Sequence, residues 1–364
     1  MQFLNNIINY LAQNTARWIY PLVSFALSAG LIPIIILSCR KHGWYDKVDE
    51  RKIHKGNIPR LGGVGFVTAF SAVTLVYVLV TKDYSNTRLA FVISGLIIFI
   101  FGVMDDFLTL KAYLKLIVQI AASLIAIAAG FRFRTILSWE LPMWLSFALT
   151  FFWMIGIINA YNLIDGVDAL CGSLSAMVIL TLGLIYTKDG STHQATVCMI
   201  LVAAIMGFLL YNKPKAKIFM GDGGSQFLGF MIAVLPLEKT TAHFESTKFF
   251  LMAVLVSLPA IDCIAAIWRR LREHRGIMTP DKRHLHHKLM GMGLSPVHVL
   301  LFLAALQLLL CAGGYISMRM RTRPGLTLLL TLMIAVIIFF IIIHFCSRAL
   351  KKPDPCVKVE GTEQ

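Results

Sequence analysis

The sequence predicts an all-α polytopic membrane protein of about 11 transmembrane helices, 10 being the alternative count. Three observations predict it. Of 364 residues, 57% are apolar and only 15% charged, with a mean hydropathy of +0.74, whereas roughly a quarter of an ordinary soluble domain is charged. Apolar runs of the ~20 residues that cross a bilayer as a helix recur from end to end. The net charge of +15 gathers in segments between those runs, as in a membrane protein with basic cytoplasmic loops; the hydropathy sets aside the nucleic-acid binder that such a charge also fits. Disordered, fibrous and water-soluble globular classes are excluded on the same grounds.

The runs fall near 18–38, 61–81, 88–104, 114–130, 142–158, 173–187, 194–210, 226–238, 248–267, 297–317 and 325–346. The first continues through Ile32–Leu37 into basic residues, as an anchor does and a cleaved signal peptide does not. In an eleven-span count the Lys/Arg-rich segments 39–60 and 268–295 share one side with 105–113, 159–172, 211–224 and the tail after Ser347. The positive-inside rule makes that side cytoplasmic. Arg319, Arg321 and Arg323 are the exception, facing outward. One transmembrane domain over 1–346 is expected, followed by a polar, disordered tail over 347–364. Seven cysteines without a CxxC pair read as apolar filler with free thiols.

Acidic residues are scarce, so their placement is informative: ionisable groups near membrane depth are expensive and usually functional. Asp105 and Asp106 end one run. Asp165 and Asp168 stand in Asn159-Ala160-Tyr161-Asn162-Leu163-Ile164-Asp165-Gly166-Val167-Asp168, and Asp222 in Phe219-Met220-Gly221-Asp222-Gly223-Gly224-Ser225. His284, His286 and His287 follow Asp281-Lys282-Arg283. All fall on the same predicted side. Five gathered aspartates make an oxygen-rich pocket suited to Mg²⁺, which takes one or two carboxylates plus substrate phosphates. Lys111, Lys115 and Gln119 are spaced to share a helix face. Arg51, Lys52, His54, Lys55 and Arg60 precede Gly62-Gly63-Val64-Gly65. Carboxylates, Mg²⁺ and cations are the equipment of phosphoryl transfer, and at a membrane the natural acceptor is a lipid phosphate. Each motif also has a plainer reading: a solvated helix end, a capping turn, a tight turn, close helix packing at the glycines. Zinc is disfavoured at the histidines, with no cysteine beside them. Phe219 beside Asp222 could stack on a base.

Taken in order, these motifs resemble the polyprenyl-phosphate N-acetylhexosamine-1-phosphate transferase family (glycosyltransferase family 4), in its WecA/TagO-like branch. The resemblance runs from about residue 15 to 345 and adds Arg51–Gly63 and Arg269-Arg270-Leu271-Arg272 to the segments above. It implies a cytoplasmic-face active-site cleft in a bacterial inner membrane. It implies transfer of HexNAc-1-phosphate, GlcNAc-1-phosphate by default, from UDP-HexNAc to undecaprenyl phosphate, with release of UMP. Mg²⁺ is the implied cofactor, with Mn²⁺ as substitute. Asp105, Asp106 and Asp222 are the implied catalytic and metal residues. Lys55, Arg60, Lys111, Lys115, Asn159, Asn162, Asp165, Asp168, Phe219, Arg283, His284, His286 and His287 are the implied substrate contacts. The bilayer and the two substrates are the expected partners, a homodimer is left open, and no nucleic acid is expected. Ala169 departs from the family pattern, which has Gly after the second aspartate; the methyl matters if the position needs φ > 0. His-Leu-His-His differs from the triple histidine of the muramoyl-pentapeptide branch. A cation-coupled transporter is the rival class, but it predicts midplane carboxylates and inverted repeats.

Overall fold

A computed structural model of the chain describes residues 2–45, 58–82, 84–276, 279, 281 and 283–349, with side chains from Trp18 onward apart from Asn86. The described residues are overwhelmingly helical. The helices are α1 (Gln2–His42), α2 (Gly62–Thr81), α3 (Asn86–Leu108), α4 (Ala112–Ala128), α5 (Met143–Ile164), α6 (Leu170–Lys188) and α7 (Thr192–Asn212). They continue with α8 (Gly221–Val234), α9 (Ala242–Leu255), α10 (Ser257–Arg272), α11 (Leu285–Gly291), α12 (Pro296–Ser317) and α13 (Thr322–Ala349). The described strands are two-residue pieces, β1 (Thr135–Ile136) and β2 (Trp139–Glu140), paired as a small hairpin.

Each of the eleven expected runs is helical, which agrees with an all-α polytopic fold and leaves the count of about 11 approximate. Among the described residues, eight helices are long and apolar enough to cross a bilayer, and α9 with α10 makes a ninth if that pair, bent by 68°, is one span. The helix α4 has 17 residues and α8 has 14. Composition alone does not reveal a break inside an apolar run. The run at 248–267 breaks at Val256 because Pro259 has no N–H and its ring crowds the carbonyl of Leu255, the last residue of α9.

The short α8 is the centre of the bundle, and nearly every residue in it is buried. It packs on α2, α3, α5 and α6. Its apolar character all round is that of a helix enclosed by others. Small residues let backbones approach closely. A Cβ at Gly102 of α3 would sit 2.5 Å from the Cα of Gly223 on α8, and one at Gly63 of α2 would sit 2.5 Å from the nitrogen of Gly224. The close-packing reading of Gly62-Gly63 therefore holds. On the other flank α1 lies against α7, where Ser24 and Ser28 donate hydroxyl hydrogen bonds to the carbonyls of Ile200 (3.0 Å) and Ala204 (2.7 Å). The described cysteines are free thiols, all buried except the part-buried Cys346.

Candidate active site

The site forms where α3 ends and α8 begins. Gly221 starts α8 at φ +77°, and a side chain there would run into the Arg60 carbonyl and the Asp106 carboxylate. The first N–H groups of a helix have no intrahelical partner. Here Asp106, from the end of α3, supplies one across the helix gap: its Oδ1 accepts from the Asp222 N–H at 2.8 Å and its Oδ2 from the Gly223 N–H at 3.0 Å. Asp105, one residue earlier, accepts the Leu110 N–H at 2.7 Å and so also shapes the turn after α3.

That capping delivers Asp222 into a cluster of opposite charges. Arg60 Nη2 donates to Asp222 Oδ1 at 3.1 Å and lies 3.7 Å from Asp106 Oδ1. Lys115 Nζ, on α4, donates to Asp222 Oδ2 at 2.6 Å and forms an ion pair with Asp105 Oδ2. Three carboxylates thus face two cations, each charge paired as partly buried charges must be. The Lys115 ammonium stands between Asp105 and Asp222. Among the described residues no group of three or more His, Cys, Asp or Glu side chains has a geometry that would hold a metal on its own. That donor set fits Mg²⁺, a hard ion satisfied by one or two carboxylates with phosphates and water completing the shell, and does not fit zinc.

A polar network backs the cluster. One turn beyond Lys115, Gln119 donates to Gln226 Oε1 (3.0 Å) and accepts from Asn159 Nδ2 (2.7 Å). Ser225 donates to Asn162 Oδ1 at 2.8 Å. These bonds tie α4, α5 and α8 together around the carboxylates. Asp165, just past α5, makes no side-chain hydrogen bond among the described residues. Burial pushes its carboxyl up to about 7, with the charges of Asp222, Asp106 and Asp168 adding to the rise and Arg60 opposing it. Asp168 has a structural contact, accepting the Ala216 N–H at 3.1 Å. Phe219 is part-buried, and its backbone pins the segment carrying Arg60: its N–H donates to Pro59 O (2.8 Å) and its carbonyl accepts from Gly62 N (2.9 Å).

The histidine segment folds over the same end. Asp262, buried in α10, accepts the Leu285 N–H at 2.9 Å and pairs with His284 Nδ1 at 3.0 Å. The His286 ring lies so close to Gly166 that a side chain there would overlap it, which brings this segment against the Asp165 loop. Burial holds His286 down at about 3, with His287 and His284 lowering it further and Asp262 opposing. Asp281 is drawn down to about 2: burial alone would raise it, but the guanidinium of Arg269, at 2.7 Å, outweighs that. Arg283 is exposed and forks onto Glu273, both oxygens at 2.6 Å.

The structure therefore unites Asp105, Asp106, Asp222, Arg60 and Lys115, sets Asn159, Asn162 and Asp165 around them, and brings His286 to Asp165's loop. Lys111 is a correction. It is the exposed N-cap of α4, in extended backbone at φ −67°, ψ 140°, so it does not share the helical face of Lys115 and Gln119. Lys55 lies outside the described residues. Sequence reading missed Asp262, Gln226 and Ser225 as site partners. Asp262 carried a usable signal, an acid inside an apolar run; the other two carried none.

The glycosyl transferase family 4 model matches residues 88–239, which hold all five site aspartates. A probable undecaprenyl-phosphate N-acetylglucosaminyl 1-phosphate transferase of Bacillus subtilis is 32% identical over 274 residues, covering 73% of this chain and 75% of the relative. The chain belongs to glycosyl transferase family 4. The undecaprenyl-phosphate alpha-N-acetylglucosaminyl 1-phosphate transferase of Escherichia coli K12 is 28% identical over 322 residues, 86% of each chain. The protein of the same name from Salmonella typhi is 30% identical over 324 residues, 85% of this chain and 86% of the relative. As a family 4 member with eight or nine long apolar helices among its described residues, the chain is a multi-pass membrane protein. Arg60 and the histidine segment lie outside the matched region, so their place in the site rests on geometry.

Proposed function

We propose that this protein transfers GlcNAc-1-phosphate from UDP-GlcNAc to undecaprenyl phosphate, giving undecaprenyl-diphospho-GlcNAc and UMP, and so initiates a cell-envelope glycan. The observation that carries the reading is the Asp105–Lys115–Asp222–Arg60 cluster, with Asp106 as the cap of α8. The relatives' names give the transferred group and the acceptor, and the UDP donor follows from the family resemblance. The metal falls to Asp105 and Asp222, because Asp106 commits both oxygens to backbone N–H groups. When bound, Mg²⁺ would neutralise diphosphate charge and stabilise the departing UMP. Arg60 and Lys115 orient the phosphates. Asp165 and Asn162 face the nucleotide, Phe219 offers a stacking surface, and the 283–287 segment closes over the sugar diphosphate.

A lipid phosphate monoester has its second pKa near 6 and is largely a dianion at neutral pH. It can attack the diphosphate without a general base, so Asp105 is assigned to positioning and metal binding. The site faces the cytoplasm of a bacterial inner membrane, where UDP-sugars are found. UMP release by detergent-purified protein, measured with and without undecaprenyl phosphate and Mg²⁺ and across UDP-GlcNAc and other UDP-HexNAc donors, tests the reading. Release that ignores the lipid would contradict it.

A further inference from the structure

A second polar pocket lies apart from the carboxylates. A cavity of about 540 Å³ opens between α10, α11 and the C-terminal end of α13, within the ~300–1,000 Å³ of ligand pockets. None of Asp105, Asp106, Asp222, Arg60 or Lys115 lines it, and α10, which walls it, packs on both α5 and α13. The cavity is lined by five Lys and Arg side chains and one carboxylate, Glu273. Glu273 is already engaged by Arg283 and Arg275, and Arg269 by Asp281. Arg272, Lys288 and Arg348 are left with no carboxylate partner among the described residues. Burial, and after it the Arg269 charge, hold the Lys288 ammonium below its usual range, with Asp262 and Asp281 opposing.

The helix α10 also fixes the depth. Ile264, Trp268 and Leu271, at i, i+4 and i+7, are 64%, 68% and 51% exposed, while Asp262, Ala266 and Arg270 on the opposite side are buried. An exposed apolar stripe ending in a Trp and arginines is that of a helix lying at the bilayer interface. Trp268 is also at the wall of the cavity. Basic pockets between membrane helices at this level hold anionic lipid headgroups.

We propose that the α10–α11–α13 pocket binds the phosphate of an anionic bilayer phospholipid, held by Arg272, Lys288 and Arg348, with its chains along Ile264, Trp268 and Leu271. Arg283 and His287, from the segment that the proposed function places over the sugar diphosphate, also line this pocket, so its test is a binding measurement in which undecaprenyl phosphate competes. Full-length protein in detergent is titrated with phosphatidylglycerol, phosphatidylcholine and inorganic phosphate, and bound lipid is counted by native mass spectrometry. Phosphatidylglycerol should bind in preference to phosphatidylcholine. The Lys288→Gln/Arg348→Gln variant should lose about tenfold or more in its affinity, from ~1 kcal/mol per cation. Lys288→Arg/Arg348→Lys, and Arg321→Gln/Arg323→Gln at the other end of the bundle, should keep it. If the double glutamine variant does not run as a monodisperse species, Arg348→Gln alone decides, with a severalfold loss expected. Equal retention by variant and wild type overturns the proposal. So does displacement by inorganic phosphate at the lipid's own concentration, which would make this a free-phosphate site, or by undecaprenyl phosphate, which would make it a substrate site.

Discussion

At the scale of single residues, position decides role even among identical side chains. Asp105 and Asp106 are neighbours on one helix end, yet Asp106 turns both oxygens to the start of α8 while Asp105 faces Lys115. Ala169 shows the same dependence on place. It adopts φ +62° and donates its N–H to Asn212 Oδ1 at 2.9 Å, so the position does require the left-handed backbone that glycine adopts freely. An L-residue there costs roughly 1–2 kcal/mol, partly offset by glycine's greater freedom in the unfolded chain. Ala169→Gly should therefore raise stability by about 0.5 kcal/mol, read as a higher melting temperature in detergent; a clear drop would show that the methyl's packing outweighs the strain. His286 gives a pH prediction. Its folded value of about 3 lies below the ~6.5 of an unfolded histidine. Its contribution is complete above pH ~6.5 and declines as pH falls from there towards 3, because only the unfolded chain takes up the proton. Melting curves of wild type and His286→Gln should converge across that window, and a constant gap would contradict the assignment. The aspartates were legible in the sequence because charge in an apolar context is conspicuous. Which oxygen meets which partner was not, because that depends on the packing of helices far apart in the chain.

At the scale of elements, α8 links sequence to site. It is too short to read as a confident span, but its burial on every side and its glycine-rich start let α2 and α3 close on it. Gly102→Val should therefore separate α3 from α8, displacing Asp106 from the Asp222 and Gly223 N–H groups. Overpacking of this kind costs about 1–3 kcal/mol, so the variant should show a lowered melting temperature and turnover reduced far more than substrate binding. Full turnover would show that the close approach is incidental. The α9–α10 break and the register of α4 mark where sequence reading stopped. Hydropathy averages over a window, so it passed over the local effect of Pro259, and helical spacing counted from Lys111 assumed a helix that begins only at Ala112.

At the scale of the whole molecule, motifs from five segments arrive at one end of the bundle, as the span count from sequence required. Among the described residues eight or nine helices are long enough to be full spans, and the shorter α4 and α8 and the bent α9–α10 pair occupy the remaining expected runs. The proposed orientation has a direct check. In a background without cysteines, Arg283→Cys should react with an impermeant maleimide only in inside-out vesicles, and Arg321→Cys only in intact spheroplasts. The reverse pattern would invert the molecule.

In the proposed reaction Asp222, held between Lys115 and Arg60, anchors a metal-dependent transfer onto a lipid phosphate. The measurement is UMP release from UDP-GlcNAc by purified protein with undecaprenyl phosphate and Mg²⁺, wild type beside Asp222→Asn. Release should require both lipid and Mg²⁺ and fall at least ~100-fold in the variant, the scale on which preorganised charge stabilisation is lost. Wild-type release that persists in EDTA, or an Asp222→Asn variant that is folded and as active as wild type, would contradict it.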